Sequence, residues 1–74
     1  MIRVPFDYSK LRGKIREVYK TQEAFANAMG CSTATISGKL NCNVDFSQEE
    51  IAKAVEVLHL RMEDIPTYFF TARV

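Results

Sequence analysis

Residues 21–41 divide at Gly30 into two short segments with the spacing of helices. The first segment places its apolar residues on one face: Ala24, Phe25, Ala28 and Met29. Gly30 tolerates the left-handed backbone that ends many helices. In the second segment only Ile36 and Leu40, four positions apart, can hold a helix to a core. That helix must show most of its small polar surface, and a helix-turn-helix of this kind is the geometry that enters the major groove of DNA.

Hydroxyl side chains mark where these two helices begin. Thr21 precedes a helix predicted over residues 22–29, and Ser32 precedes a helix predicted over residues 33–40. Each hydroxyl can accept a hydrogen bond from a first-turn amide that has no partner within the helix. The sequence therefore predicts the start of both helices.

This stretch resembles the helix-turn-helix of the Cro/C1-type (Xre-like) phage repressor family. The resemblance is carried by Thr21-Gln22-Glu23, Ala26, Gly30, Ser32, Ile36-Ser37 and Asn41. The flanking residues 7–13 and 68–70 also look like a narrower group, the small regulators of temperate phages of Gram-positive bacteria, which includes Cro-like repressors and antirepressors. The resemblance implies an all-α fold: a compact, lambda-repressor-like bundle of about five short helices.

The resemblance implies double-stranded DNA as a partner, with the helix over residues 33–40 in the major groove. It places Gln22 on the DNA backbone and Thr33 and Ala34 at base edges, and Lys39, the one cation on that helix, is expected to seek a phosphate. Asn41 is either a helix stop or a phosphate contact, and the helix stop is favoured. The predicted DNA-binding residues are Gln22, Ser32, Thr33, Ala34, Thr35, Ser37, Gly38, Lys39 and Asn41.

The base-reading chemistry of the second helix is thin. Hydroxyl and methyl groups contact several bases, and no arginine or asparagine is placed for a discriminating bidentate contact. Gly38 stands where the family usually carries a larger polar residue. The alternative function is therefore an antirepressor, which binds the main phage repressor protein and blocks its DNA binding.

The two halves of the chain carry opposite charge, although the net charge is only +1. Residues 1–41 hold seven basic and three acidic residues, whereas residues 42–74 hold three basic and six acidic ones. This asymmetry indicates one face for an anionic partner and another for something else. The acidic half could pair with the basic DNA-reading face of another repressor.

The first helix is predicted from about Tyr8 to Tyr19. Asp7 is the expected N-cap, and Phe6 before it is expected to pack on Leu11. Gly13 falls inside the helix, where glycine is unfavourable, so a close approach of another helix is its expected reason. The predicted buried stripe is Leu11, Ile15, Val18 and Tyr19.

A fourth helix begins with the capping box Ser47-Gln48-Glu49-Glu50. Its core face is predicted to hold Ile51, Val55 and Leu58, with Ala54 alongside, whereas Glu49, Glu50, Lys53 and Glu56 face water. A short fifth helix is predicted within residues 60–66, and Pro66 either breaks it or opens a further turn.

The two ends of the chain leave alternatives open. Residues 1–6 form a predicted arm, in which Arg3 either reaches DNA or is frayed. In the tail, residues 67–74, the alternation of Tyr68, Phe70 and Ala72 suits a short strand. The tail either forms a homodimer, docks on a different repressor or folds back on the first helix. If the chain binds DNA, two copies are expected on a two-fold operator.

Length and composition exclude several classes of protein. Seventy-four residues make a single domain. Glycine loops for phosphates and nucleophile–histidine–acid sets are missing from the sequence, so no enzyme is predicted. Cys31, Cys42 and His59 are too few and too unevenly spaced for a zinc site, and no cofactor is implied. Without a signal peptide or a spanning apolar run, we expect a cytoplasmic protein with no membrane partner.

Overall fold

The computed structural model describes residues 6–72, and this part of the chain is a bundle of five α-helices. A 3₁₀ turn, Met62–Asp64, leads directly into the last helix. The helices are α1 (Ser9–Tyr19), α2 (Gln22–Met29), α3 (Thr33–Leu40), α4 (Gln48–Val57) and α5 (Ile65–Phe69). The predicted all-α class is confirmed, and α2 and α3 have the predicted bounds.

The predicted caps set these helix starts. The Thr21 hydroxyl accepts from the Ala24 N–H at 3.1 Å, before α2. The capping box of α4 is complete, because the Ser47 hydroxyl accepts from the Glu50 N–H at 3.1 Å and the Glu50 carboxylate accepts from the Ser47 N–H at 2.7 Å. Gly30 ends α2 with φ at +78°, the left-handed conformation that glycine adopts without steric cost.

The core draws on all five helices and on the turns that flank them. Ile36 and Leu40 are 0% and 2% exposed, so the two predicted anchors do hold α3. In α2 the burial centres on Phe25 and Ala26, while the other predicted apolar residues of that helix are half-buried. The buried apolar residues are Tyr8, Leu11, Ile15, Phe25, Ala26, Ile36, Leu40, Ala54, Leu58 and Phe69.

The predicted core side of α4 is confirmed at Ile51, Ala54 and Leu58 and is wrong at Val55. Ala54 and Leu58 are fully buried, and Val57 packs against the core while its carbonyl accepts from the Tyr19 hydroxyl at 2.9 Å. Val55, predicted to face the core, is half-buried and lies outside that cluster. Helix α4 contacts both α2 and α5.

Two predictions for α1 are wrong in detail. The N-cap position is Tyr8, which makes no side-chain cap, and the Asp7 carboxylate instead accepts from the Ser9 N–H at 2.9 Å. Asp7, one residue before the N-cap position, still satisfies an amide of the first turn. Gly13 is exposed, and a Cβ added there would meet no atom within 4 Å, so no helix of the described chain requires this glycine.

The C-terminal segment folds back on the start of the described chain. Pro66 opens a further turn, so Tyr68 and Phe69 are helical and the predicted strand is wrong. After α5, the Asp7 N–H donates to the Thr71 carbonyl at 2.7 Å, and Phe6 and Ala72 form an isolated antiparallel bridge. Phe69 is buried against Phe46, and Phe70 is 51% exposed.

Within residues 6–72 no helix is long and apolar enough to cross a membrane. No disulfide joins Cys31 and Cys42, which both lie in this range. The predicted role of Arg3 in the N-terminal arm lies outside the described residues.

Candidate partner-binding face

The first turn of α3 is the most open part of the helix-turn-helix. Thr33, Ala34 and Thr35 are all exposed. The Ser32 hydroxyl accepts from the Thr35 N–H at 3.1 Å and lies 2.8 Å from the Thr35 hydroxyl. Two of the predicted hydroxyl ligands therefore already share a hydrogen bond, while Thr33 and Ala34 present a hydroxyl and two methyl groups to a partner.

The second turn of α3 is more enclosed. Ser37 and Gly38 are half-buried. A Cβ added at Gly38 would have no atom within 4 Å, so packing inside the described chain does not require glycine there.

Lys39, which the sequence predicts to contact a DNA phosphate, is paired inside the protein. Its side chain is 9% exposed, and its ammonium lies 2.9 Å from the Glu50 carboxylate. The ammonium also donates to the Asp45 carbonyl at 3.2 Å and lies 5.9 Å from the centre of the Phe46 ring. Lys39 is three residues after the buried Ile36 and therefore shares its side of α3, where an unpaired charge would be costly.

Glu50 completes this ion pair from the first turn of α4, although it was predicted to face water. Burial alone would raise the pKa of its carboxyl. Hydrogen bonds from the Ser47 N–H and the Lys39 ammonium outweigh burial and hold the pKa of Glu50 below its usual value. The pair ties α3 to α4 and leaves α3 without a cation on its open side.

Asn41 closes α3, as favoured by the sequence. It occupies the C-cap position, and its side-chain amide donates to the Ser37 hydroxyl at 3.5 Å. The Arg12 guanidinium of α1 donates to the Asn41 side-chain oxygen at 2.8 Å and to the Leu40 carbonyl at 3.2 Å. A cation placed on the last carbonyls of a helix is favourable, so Arg12 stabilises the end of α3.

Basic side chains surround Gln22 at the start of α2. A cavity of about 310 Å³ is lined by Arg12, Ile15, Arg16, Lys20, Thr21 and Gln22. Arg12, Arg16 and Lys20 are four residues apart along α1 and its C-cap residue. This spacing places them on one side of the helix, so the sequence contained a signal for Arg16 and Lys20. Together with the free amides at the start of α2, they make this corner suited to an anion.

Among the described residues, the candidate metal ligands and thiols include the two cysteines and the acidic side chains that the sequence offers. No group of three or more His, Cys, Asp or Glu side chains among them could hold a metal ion. Burial raises the pKa of the Cys31 thiol, and the nearby Glu50 carboxylate raises it further. A thiol with a raised pKa is less ionised at neutral pH and so is a weaker nucleophile.

The candidate partner-binding face thus combines a small polar surface on α3 with a basic corner at Gln22.

A family described as protein of unknown function, DUF739, matches residues 4–72. This chain belongs to the DUF739 family. Among proteins with curated descriptions none matches the chain.

A solved structure adds a regulatory context to this DUF739 protein. The chain is similar to the solution structure of the modulator of repression (MOR) of the temperate bacteriophage TP901-1 from Lactococcus lactis. The two are 55% identical in sequence, the match covers 93% of each chain, and the TM-score is 0.80. The match supports a phage regulatory role and agrees with the resemblance to small temperate-phage regulators, whereas membership of the Cro/C1-type family stays a prediction.

Proposed function

We propose that this protein is an antirepressor, which binds the main repressor of a temperate phage and blocks that repressor's contacts with DNA. The observation that carries the proposal is the 55% identity to a modulator of repression over 93% of both chains. At this level of identity a shared mode of action is the simplest expectation. The proposal assigns no catalytic reaction to the chain and places its action in the cytoplasm, where phage repressors meet DNA.

The chemistry of α3 also favours a protein partner over an operator. Its exposed first turn offers hydroxyl and methyl groups, which discriminate weakly between bases. Its one cation, Lys39, pairs with Glu50 and is largely buried, so it is poorly placed to meet a phosphate. Without an exposed cation, α3 is poorly equipped to hold a DNA backbone.

The test is a competition on the phage operator. Labelled operator DNA is first bound by the phage repressor, and this protein is then titrated in while fluorescence anisotropy is followed. We expect the DNA to be released as a complex of the two proteins forms, which size-exclusion chromatography detects separately. If the two proteins form no complex at micromolar concentrations, the proposal is wrong.

The second candidate function is sequence-specific DNA binding by the helix at 33–40, with two copies on a two-fold operator. The basic corner around Gln22 favours it, since Arg12, Arg16 and Lys20 line the same cavity. Anisotropy with the phage promoter region and with random DNA at several salt concentrations tests it. Specific binding would fall steeply with salt, and Gln22→Ala would weaken binding to all sequences. Equally weak binding to both DNAs would reject this candidate.

A further inference from the structure

An apolar surface lies between α4 and α5, on a part of the molecule separate from the exposed turn of α3. Met62 and Phe70 are 74% and 51% exposed, which is unusual for large hydrophobic side chains. A cavity of about 300 Å³ between them is lined by Gln48, Ile51, Ala52, Met62, Ile65 and Phe70. These six residues are called the α4–α5 surface.

The α4–α5 surface continues into a second cavity of about 330 Å³. Ile51 and Phe70 line both cavities. The second cavity is walled mainly by aromatic side chains, and Phe70 contacts Phe6 edge-on with ring centres 5.8 Å apart. Because they share these two apolar residues, the two cavities form one continuous apolar groove, which can accept the apolar face of a helix of another protein.

The groove has an acidic rim. Glu49 lies three residues before Ala52 and Glu56 lies four residues after it, and both are exposed. This spacing places the two carboxylates on the side of α4 next to the groove. Asp45 lines the second cavity, and Glu63 is exposed beside Met62. Between residues 43 and 72 the basic side chains are Lys53 and Arg61, and Arg61 is paired with Glu63 at 2.8 Å.

We propose that the α4–α5 surface is where the phage repressor docks, through a repressor helix whose apolar side chains are flanked by lysine and arginine. This inference rests on the antirepressor function proposed above. Apolar anchors of the repressor helix would fill the groove at Met62 and Phe70, and its basic flanks would meet Glu49 and Glu56. The acidic rim repels DNA, so this face selects a basic protein segment over a nucleic acid.

The test compares two arginine substitutions at exposed helical positions. Ala52→Arg fills the groove and adds a cation, whereas Asn27→Arg adds the same side chain on α2, away from the groove. Affinity for the repressor is measured by isothermal titration calorimetry, and circular dichroism melting checks that both variants fold. We expect Ala52→Arg to lose about tenfold or more in affinity. Asn27→Arg should bind as tightly as the wild-type protein.

A second variant tests the acidic rim. Replacing Glu49 and Glu56 together by lysine should weaken repressor binding and reverse its salt dependence, because attraction to a basic helix becomes repulsion. Tight binding by Ala52→Arg and by the double variant would overturn the docking site while leaving the antirepressor function in place. A wild-type protein with no affinity for the repressor would overturn both.

The same variants distinguish a second copy of this chain as the occupant. In sedimentation velocity of the protein alone, we expect the wild type and Ala52→Arg to have the same mass. A dimer that Ala52→Arg dissociates, with repressor affinity unchanged, would assign the groove to self-association and overturn the proposal.

Discussion

The ammonium group of Lys39 lies between two helices, 2.9 Å from the Glu50 carboxylate. In the sequence, Lys39 is the only cation of a helix that resembles a DNA-reading helix. In the structure it stabilises the junction of α3 and α4, helped by the Phe46 ring and the Asp45 carbonyl. One residue therefore changes from a candidate ligand for DNA to a structural element of the helix-turn-helix.

Replacing Lys39 by alanine should destabilise the fold. The change removes a buried charge-assisted hydrogen bond and leaves Glu50 partly buried without its cation, so we expect a loss of about 2 kcal/mol in the free energy of unfolding. Urea denaturation measures it. Lys53→Ala on the exposed side of α4 is the control and should stay within about 0.5 kcal/mol of the wild type. Equal losses would mean that the ion pair contributes nothing measurable.

The same pair predicts a pH dependence. The pKa of Glu50 is lowered in the folded protein, so its carboxylate adds stability above the pKa of an unfolded glutamate, about 4.3. That contribution is lost as the pH falls through the lowered folded value. We expect Glu50→Gln to be less stable than the wild type at pH 7 and the difference to shrink below about pH 4. Thermal melts at several pH values check this, and a constant difference would contradict it.

At the scale of single helices, the caps explain why short segments are helical at all. Helices α2 and α3 have eight residues each, which is too short to be stable alone. Thr21 and Ser32 satisfy first-turn amides at their starts. Gly30 turns the chain between them, so local signals suffice to delimit the helix-turn-helix.

Gly13 is the element-scale exception, because nothing in the described chain requires it. A Cβ at this exposed helical position meets open space, so Gly13→Ala should stabilise α1 by about 1 kcal/mol. Gly30→Ala is the matched control. There φ is +78°, so alanine should destabilise by about 1 kcal/mol or more. Chemical denaturation of both variants measures the two opposite signs, and a destabilised Gly13→Ala would show that the helix needs the glycine.

At the scale of the whole molecule, the C-terminal turn closes the bundle. Phe69 is 1% exposed and contacts Phe46 edge-on, while the Thr71 carbonyl accepts from the Asp7 N–H. Contacts between α1 and α5 therefore join the two ends of the described chain. The tail belongs to the core through one aromatic residue and leaves the next one on the surface.

The two adjacent phenylalanines should respond differently to truncation. Phe69→Ala should cost about 3–5 kcal/mol because it opens a cavity in the core, and most of the stability of so small a protein would be lost. Phe70→Ala should cost far less, since half of that side chain is already in water. Differential scanning calorimetry compares the two, and similar melting temperatures would contradict the burial pattern.

Local chemistry in the sequence determined the helix count, the N-caps of α2, α3 and α4 and the bounds of α2 and α3. Thr21, Ser32, Ser47 and Gly30 act on neighbours within four residues, so their effect is readable from spacing alone. The ion pair of Lys39 with Glu50 and the contact of Arg12 with Asn41 join residues 11 and 29 positions apart. Such pairs depend on how the helices pack.

The tertiary structure likewise decided which aromatic residue of the tail is buried. Three consecutive aromatic residues have the same local preference for burial, and the core has room for one of them completely. The packing of α5 against α1 and α4 buries Phe69 and leaves Phe70 exposed next to Met62. The α4–α5 surface therefore exists only in the folded chain, because its residues come from segments that meet through packing.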